Sequence, residues 1–271
     1  MSTISAEGIR VRYGDRTILH DVNFTASAGS ITVIAGPNGS GKSTLVKAIS
    51  GEAGCGGVIS INGRDIRQIK AWQLATLRGV LAQETTVAFP FTVAEVVSLG
   101  VTAGAVARAG RGGLVEAALA RVGLPGFAGR RIQTLSGGER QRVQLARVLS
   151  QIWEPVGADG PRWLIMDEPV ASLDIRHQIA LMELARDYAH AGGGVIAVMH
   201  DLNLSAMFAD RMVLMKEGRV AASGEPDDVL APETLADVFA CPLRPNVVPH
   251  QGTYVLPQSA RSPVFQALAA E

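Results

Sequence analysis

The sequence predicts an α/β fold, because apolar runs of strand length alternate with helical patterns and one run passes through a glycine-rich loop into a helix. Residues 31–35, 164–166, 195–199 and 212–215 are short and largely apolar, as strands buried on both faces are. Ahead of them, Ile9, Val11 and Tyr13 alternate with Arg10 and Arg12, a period of two that suits a half-buried strand. More strand is read around residues 58–61. Between residues 90 and 149 the pattern turns helical: Val93, Val96 and Val97, then Leu119 and Val122, recur at helix-like spacing. A series of prolines from Pro242 to Pro263 breaks regular elements near the end.

The loop after residues 31–35 reads Gly36, Pro37, Asn38, Gly39, Ser40, Gly41, Lys42, Ser43, Thr44. It satisfies the full G-x-x-x-x-G-K-[ST] pattern in the context of strand, loop and helix. Glycines let successive backbone N–H groups turn inward around a polyphosphate, and the following helix offers its positive end. Lys42 can reach the outer phosphates and the Ser43 hydroxyl can ligate Mg²⁺. An ordinary glycine-rich turn would not need so many positions in order. The expectation is a site for a nucleoside triphosphate.

Four further motifs follow in order: Leu135, Ser136, Gly137, Gly138, Glu139, Arg140, Gln141; then Trp163, Leu164, Ile165, Met166, Asp167, Glu168, Pro169; then Ser172, Leu173, Asp174; then Met199, His200, Asp201. With Tyr13 ahead of the loop and Gln83 between the first two motifs, the set resembles the nucleotide-binding subunits of ABC transporters over residues 5–235 or so. The resemblance implies a P-loop NTPase fold of ABC type, with a RecA-like core, an antiparallel β subdomain and an inserted helical subdomain. It also implies ATP and Mg²⁺ as ligands. Lys42, Gln83, Glu168 and His200 are then the catalytic set, with Glu168 polarising the attacking water and His200 touching the terminal phosphate. Ser43, Gln83 and Asp167 hold the metal shell. Tyr13, the loop residues 36–44, Ser136, Gly137, Gly138, Glu139 and Asp174 bind nucleotide.

Three of these positions carry a plainer reading as well. Ser136 and Glu139 form the S-x-x-E of a helix capping box, ahead of Leu145, Val148, Leu149 and Ile152 at helical spacing. In the resembled family this helix end caps ATP held by a second subunit, which implies a homodimer. Tyr13 is either a core or edge aromatic or, by resemblance, the ring that stacks on adenine.

Composition places the chain among these possibilities. Lys plus Arg and Asp plus Glu both number 25, so no net charge pulls the chain toward nucleic acid or anionic lipid. No run approaches the 18 or so apolar residues of a transmembrane helix, and the start lacks a secretory pattern. Attachment to a membrane is expected through a partner, on the cytoplasmic face of the inner membrane. Two cysteines, Cys55 and Cys241, are too separated for a CxxC metal site. The domain reading is residues 1–235 as the ATPase domain, with the helical subdomain at about 88–149, and 236–271 as a short tail.

The transported substrate is legible only by finer resemblance. Residues 87–100, from Val87 through Phe89, Pro90, Phe91 and Glu95 to Gly100, resemble importers of large iron chelates, haem and cobalamin. Residues 143–153 and the insertion 154–160 before Pro161, Arg162, Trp163 and Leu164 are similar to the ATP-binding subunits of haem importers. That implies a transmembrane permease dimer and, through it, a periplasmic haem-binding protein as partners. The alternatives are a ferric siderophore or cobalamin importer, or a soluble ABC ATPase acting on nucleic acid. Three departures from the resembled pattern stand out: Val170 is found where Thr or Ser is usual, Arg140 replaces a Gln, and residues 103–113 are rich in Gly and Ala.

Overall fold

The computed structural model describes residues 2–83, 89–104 and 113–260. Val87 and most of the Gly/Ala-rich stretch 103–113 therefore lie outside the described residues, as does the end of the tail, 261–271. The chain opens with β1 (Thr3–Tyr13), β2 (Arg16–Ser27) and β3 (Ile31–Ala35), followed by α1 (Lys42–Ile49). Then come β4 (Gly56–Ile61), β5 (Arg64–Asp65), α2 (Ala71–Leu77) and β6 (Arg78–Leu81). Three helices occupy the middle: α3 (Val93–Ala103), α4 (Leu114–Arg121) and α5 (Gly137–Gln151). The chain returns through β7 (Val156–Gly157), β8 (Gly160–Pro161), β9 (Trp163–Asp167), α6 (Ile175–His190) and β10 (Gly194–Val198). It ends with α7 (Leu202–Phe208), β11 (Arg211–Lys216), β12 (Arg219–Gly224), α8 (Pro226–Val229) and α9 (Pro232–Phe239).

Two sheets carry the fold. One is antiparallel, ordered β2-β1-β4-β5; the other is ordered β12-β11-β3-β10-β9-β6 and is parallel except for its β12 edge. The apolar runs of β3, β9 and β10 are buried at every residue, because the sheet is covered on both faces. Alternate side chains divide between two cores. Ile31, Val33, Leu164, Met166, Val195 and Ala197 pack under the helices α3 to α7. Ile34, Trp163, Ile165, Ile196 and Val198 face α1 and the antiparallel sheet. Each core strand thus contributes to both cores, which explains why these strands read as continuous rather than alternating apolar runs.

In the helical region, Val93, Val96 and Val97 of α3 and Ala118 and Leu119 of α4 are buried in one core with Leu145, Val148 and Leu149 of α5. The α3 and α5 backbones meet at Gly100, where an added Cβ would lie 1.9 Å from the Arg147 carbonyl oxygen and 2.4 Å from Ser150 Oγ. Ser150 Oγ donates to the Val97 carbonyl at 3.1 Å in the same contact. Gly100→Ala is therefore expected to lower stability by about 1–3 kcal/mol. That outweighs the helix-propensity gain of about 1 kcal/mol from replacing glycine, because the nearest atom is backbone and cannot step aside. A denaturant midpoint equal to that of the unsubstituted chain would exclude so close a crossing.

The insertion 154–160 folds into the β7–β8 hairpin. Asn62 ties it down, donating to the Pro161 carbonyl at 2.9 Å while accepting from Trp163 Nε1 at 3.1 Å. α9 runs through residue 235, burying Leu235 and Val238 in the main core. Beyond Phe239 the chain has no further strand or α-helix among the described residues. Its one turn of 3₁₀ helix at Pro257–Ser259 rests on α7, with Gln258 Nε2 donating to the Asn203 carbonyl at 3.0 Å.

Candidate active site

Strand order brings the site together. The loop follows β3, His200 follows β10, Asp167 ends β9 with Glu168 just beyond it, and Gln83 follows β6. These four strands are consecutive in the sheet and parallel, so their carboxyl ends line one edge, where ligands of open α/β sheets bind. Register completes the alignment, since Val198 pairs with both Asp167 and Ile34.

The loop leaves β3 at Gly36, with φ 144°; a Cβ there would stand 2.2 Å from the Met215 carbonyl oxygen. Gly41, with φ 100°, closes the loop against Leu19, 2.8 Å from where its Cβ would be. Lys42 folds back to donate to the carbonyls of Gly36 (2.9 Å) and Pro37 (3.0 Å). Burial pulls its ammonium below the ordinary lysine range, against the opposing pull of Glu168 and Asp167. Ser43 Oγ donates to Asp167 Oδ1 at 3.1 Å. Burial pushes the Asp167 carboxyl above its ordinary range; the bond from Ser43 opposes this and the neighbouring Glu168 charge adds to it.

Glu168 sits at φ 52°, a left-handed conformation that costs a non-glycine residue roughly 1–3 kcal/mol and persists only where the surroundings hold it. Its Oε2 accepts from Gln83 Nε2 at 2.8 Å, and its Oε1 lies 2.5 Å from His200 Nε2. Three residues that are 85 and 32 positions apart in sequence thus meet on one carboxylate. A cleft of about 290 Å³ lies beside them, lined by Asn38, Gly39, Gly41, Lys42, Ser43, Thr44 and Glu168, together with Arg16 and Ile18.

Arg16 and Ile18 are additions that the motifs do not contain. They reach the cleft because β2 crosses beside the loop: the Gly218 amide donates to the Ser40 carbonyl at 3.0 Å, and a Cβ on Gly218 would meet the Ile18 carbonyl oxygen at 2.0 Å. Tyr13 pairs with Arg16 across the β1–β2 hairpin and is 54% exposed, so it fills no core. The nearest sequence signal for Arg16 is its place just past the hairpin turn that follows Tyr13.

Ser136, Gly137, Gly138, Glu139 and Asp174 do not line this cleft. Ser136 caps α5 in a complete capping box: its Oγ accepts from the Glu139 amide at 3.2 Å, and Glu139 Oε2 accepts from the Ser136 amide at 2.7 Å. The bond from the Ser136 amide, with the Ser136 hydroxyl beside it, holds the Glu139 carboxyl below its ordinary range. Asp174 caps α6, accepting from the His177 amide at 3.0 Å. Both helix ends stand at the surface of this single chain.

The departures also find their places. Val170 is buried in the core beside Leu173, and its carbonyl accepts from Gln178 Nε2 at 3.2 Å; its backbone is partnered from α6 without a side-chain hydroxyl. Arg140 is exposed on α5.

Residues 19–171 match the sequence profile of the family described as ABC transporter. The chain is 56% identical over 261 residues to the hemin import ATP-binding protein HmuV of Rhizobium johnstonii, covering 96% of this chain and 99% of that one. It is 49% identical over 261 residues to the protein of the same name from Bartonella henselae, covering 95% and 98%. Among solved structures, an ATP-binding subunit of an ABC transporter superposes with a TM-score of 0.76 at 24% identity, over 88% of this chain and 98% of that one, which speaks to the fold alone. Clostridium perfringens cbiO1, part of the ABC transporter complex cbiONQ, superposes with a TM-score of 0.71 at 27% identity, over 86% and 92%. With the profile spanning more than half of the chain and the relatives matching it almost end to end, the chain belongs to the ABC transporter family, as one of its ATP-binding subunits.

Proposed function

We propose that the chain hydrolyses ATP to drive hemin import through a membrane permease. It works as a homodimer with two nucleotides at its interface, seated on the cytoplasmic face of the inner membrane. Hemin reaches the permease from a periplasmic hemin-binding protein. The observation that carries the chemical reading is Glu168, held between Gln83 and His200 at the rim of the cleft that contains Lys42 and Ser43. The substrate reading is supported by the hemin import relatives at 49–56% identity.

In this reading Lys42 turns from the loop carbonyls to the outer phosphates, and the loop amides cradle the chain of phosphates. Glu168 accepts the proton of the attacking water, while Gln83 and His200 fix its two oxygens. Tyr13 stacks on the base and Arg16 adds positive charge to the lining of the cleft. The Ser136 end of α5, with Gly137, Gly138 and Glu139, caps the partner's nucleotide, as does the turn at Asp174.

Mg²⁺ fits the residues present. Ser43 Oγ and Asp167 Oδ1 are already adjacent, and two neighbouring carboxylates facing an anionic ligand call for a cation. No cluster of three or more His, Cys, Asp or Glu lies among the described residues; Mg²⁺ is usually held by one or two carboxylates together with substrate phosphates and water. Ser43, Asp167 and Gln83 would hold it, and when bound it neutralises charge on the phosphate oxygens.

Residues 1–235 serve as the ATPase domain, with 88–149 as its helical subdomain, and 236–271 as the tail. No helix among the described residues is long and apolar enough to cross a membrane, so the permease provides the attachment. The test is reconstitution with the permease and binding protein from the same organism in proteoliposomes. Hemin-loaded binding protein is expected to raise ATP turnover, with no response to cobalamin or a ferric siderophore. Stimulation by either of those instead would move the substrate to that class, and stable co-purification with DNA or ribosomes would displace the transport reading.

A further inference from the structure

The turn that follows Glu168 is gripped by two helices. From α6, Gln178 Nε2 donates to the carbonyls of Val170 (3.2 Å) and Leu173 (3.0 Å). From α5, Gln141 Nε2 donates to the Pro169 carbonyl at 2.5 Å, and Gln141 Oε1 accepts a bond from Ser172 Oγ. Gly138, one turn earlier on α5, lets the helix lie against the same turn: a Cβ there would stand 3.3 Å from Leu173 Cδ2 and 3.6 Å from the Ser172 carbonyl oxygen.

Glu168 needs such support. Its left-handed backbone is disfavoured, and on its N-terminal side its amide is held by the Val198 carbonyl at 3.2 Å. On its C-terminal side the next residue is proline, whose ring fixes φ, so the direction of the Pro169 carbonyl depends on one remaining torsion. A donor on that carbonyl sets that torsion. The Glu168 backbone is then held from both sides, which sets the direction in which its side chain leaves toward Gln83 and His200.

We propose that Gln141 is a positioning residue for Glu168, acting through the Pro169 carbonyl. It also makes α5, the helix that begins at Ser136, mechanically continuous with Glu168. A displacement of that helix end is transmitted to the carboxylate across one side chain. The proposal rests on the reading of Glu168 as the group that prepares the attacking water.

The test uses the full-length chain carrying Gln141→Met, which keeps length and volume but loses both bonds, and Gln141→Glu, which keeps the acceptor for Ser172 but loses the donor to Pro169. Both are expected to lower kcat by about 10- to 100-fold, the effect of misplacing a reacting group by roughly an ångström. KM for ATP and calorimetric ATP affinity should stay within about twofold. In single-turnover cleavage, Gln141→Met added to Glu168→Gln should cause no further loss, because both act on the same step. Wild-type kcat in Gln141→Met alongside an inactive Glu168→Gln would overturn the role of Gln141. So would ATP affinity and thermal midpoint falling with kcat, or a full further loss in the double variant. Full turnover in Glu168→Gln alone would overturn the reading of Glu168 and, with it, the proposal.

Discussion

Glu168→Gln is expected to lower ATP turnover by about 10²–10⁴ while leaving ATP binding intact, because general-base assistance contributes on that order. The substitution keeps the size of the side chain and removes its basicity. Glu168 presently accepts from Gln83 Nε2 through Oε2 and meets His200 Nε2 through Oε1. A Gln can keep its oxygen on Gln83 and direct its amide N–H toward His200 in the tautomer whose Nε2 accepts, so the local geometry is preserved. Binding without hydrolysis should then accumulate a dimer with Mg²⁺-ATP, since the amides at the Ser136 end are unchanged. Turnover assays beside size-exclusion chromatography measure both effects. Near wild-type turnover would place water activation elsewhere, and loss of ATP binding together with turnover would make Glu168 structural.

Lys42→Ala is expected to weaken ATP binding by about 1.5–3 kcal/mol, the usual size of a hydrogen bond to a charged group. The side chain has a second role, since it ties the loop together through the carbonyls of Gly36 and Pro37. Comparing nucleotides separates the two. If Lys42 contacts the outer phosphates, ATP affinity falls far more than AMP affinity; if it only organises the loop, both fall together. Calorimetry with Mg²⁺ present gives each affinity directly, and unchanged ATP affinity would remove Lys42 from the site.

Much of the site was legible because its signals are local. The G-x-x-x-x-G-K-S run after an apolar strand states its own backbone geometry, and Gly36 and Gly41 do adopt the positive φ that such a loop needs. The capping box at Ser136 and Glu139 was equally readable, since its two reciprocal bonds depend only on spacing along one helix turn. Gln83 and His200 were different. As lone polar residues they carry no local mark, and their selection came from the resemblance to a family.

The sequence by itself determined the phosphate loop, the apolar strands of the core sheet and the helix start at Ser136, because each follows from periodicity, capping or glycine freedom within a few residues. Only the tertiary structure decided that Gln83, Glu168 and His200 share one carboxylate, because that depends on β6, β9 and β10 lying side by side in the sheet. It likewise decided that Arg16 and Ile18 wall the cleft and that Gln141 holds Pro169. Those contacts join segments brought together by strand order and by the rotation of α5 against the turn after β9, and neither leaves a period or a spacing in the chain.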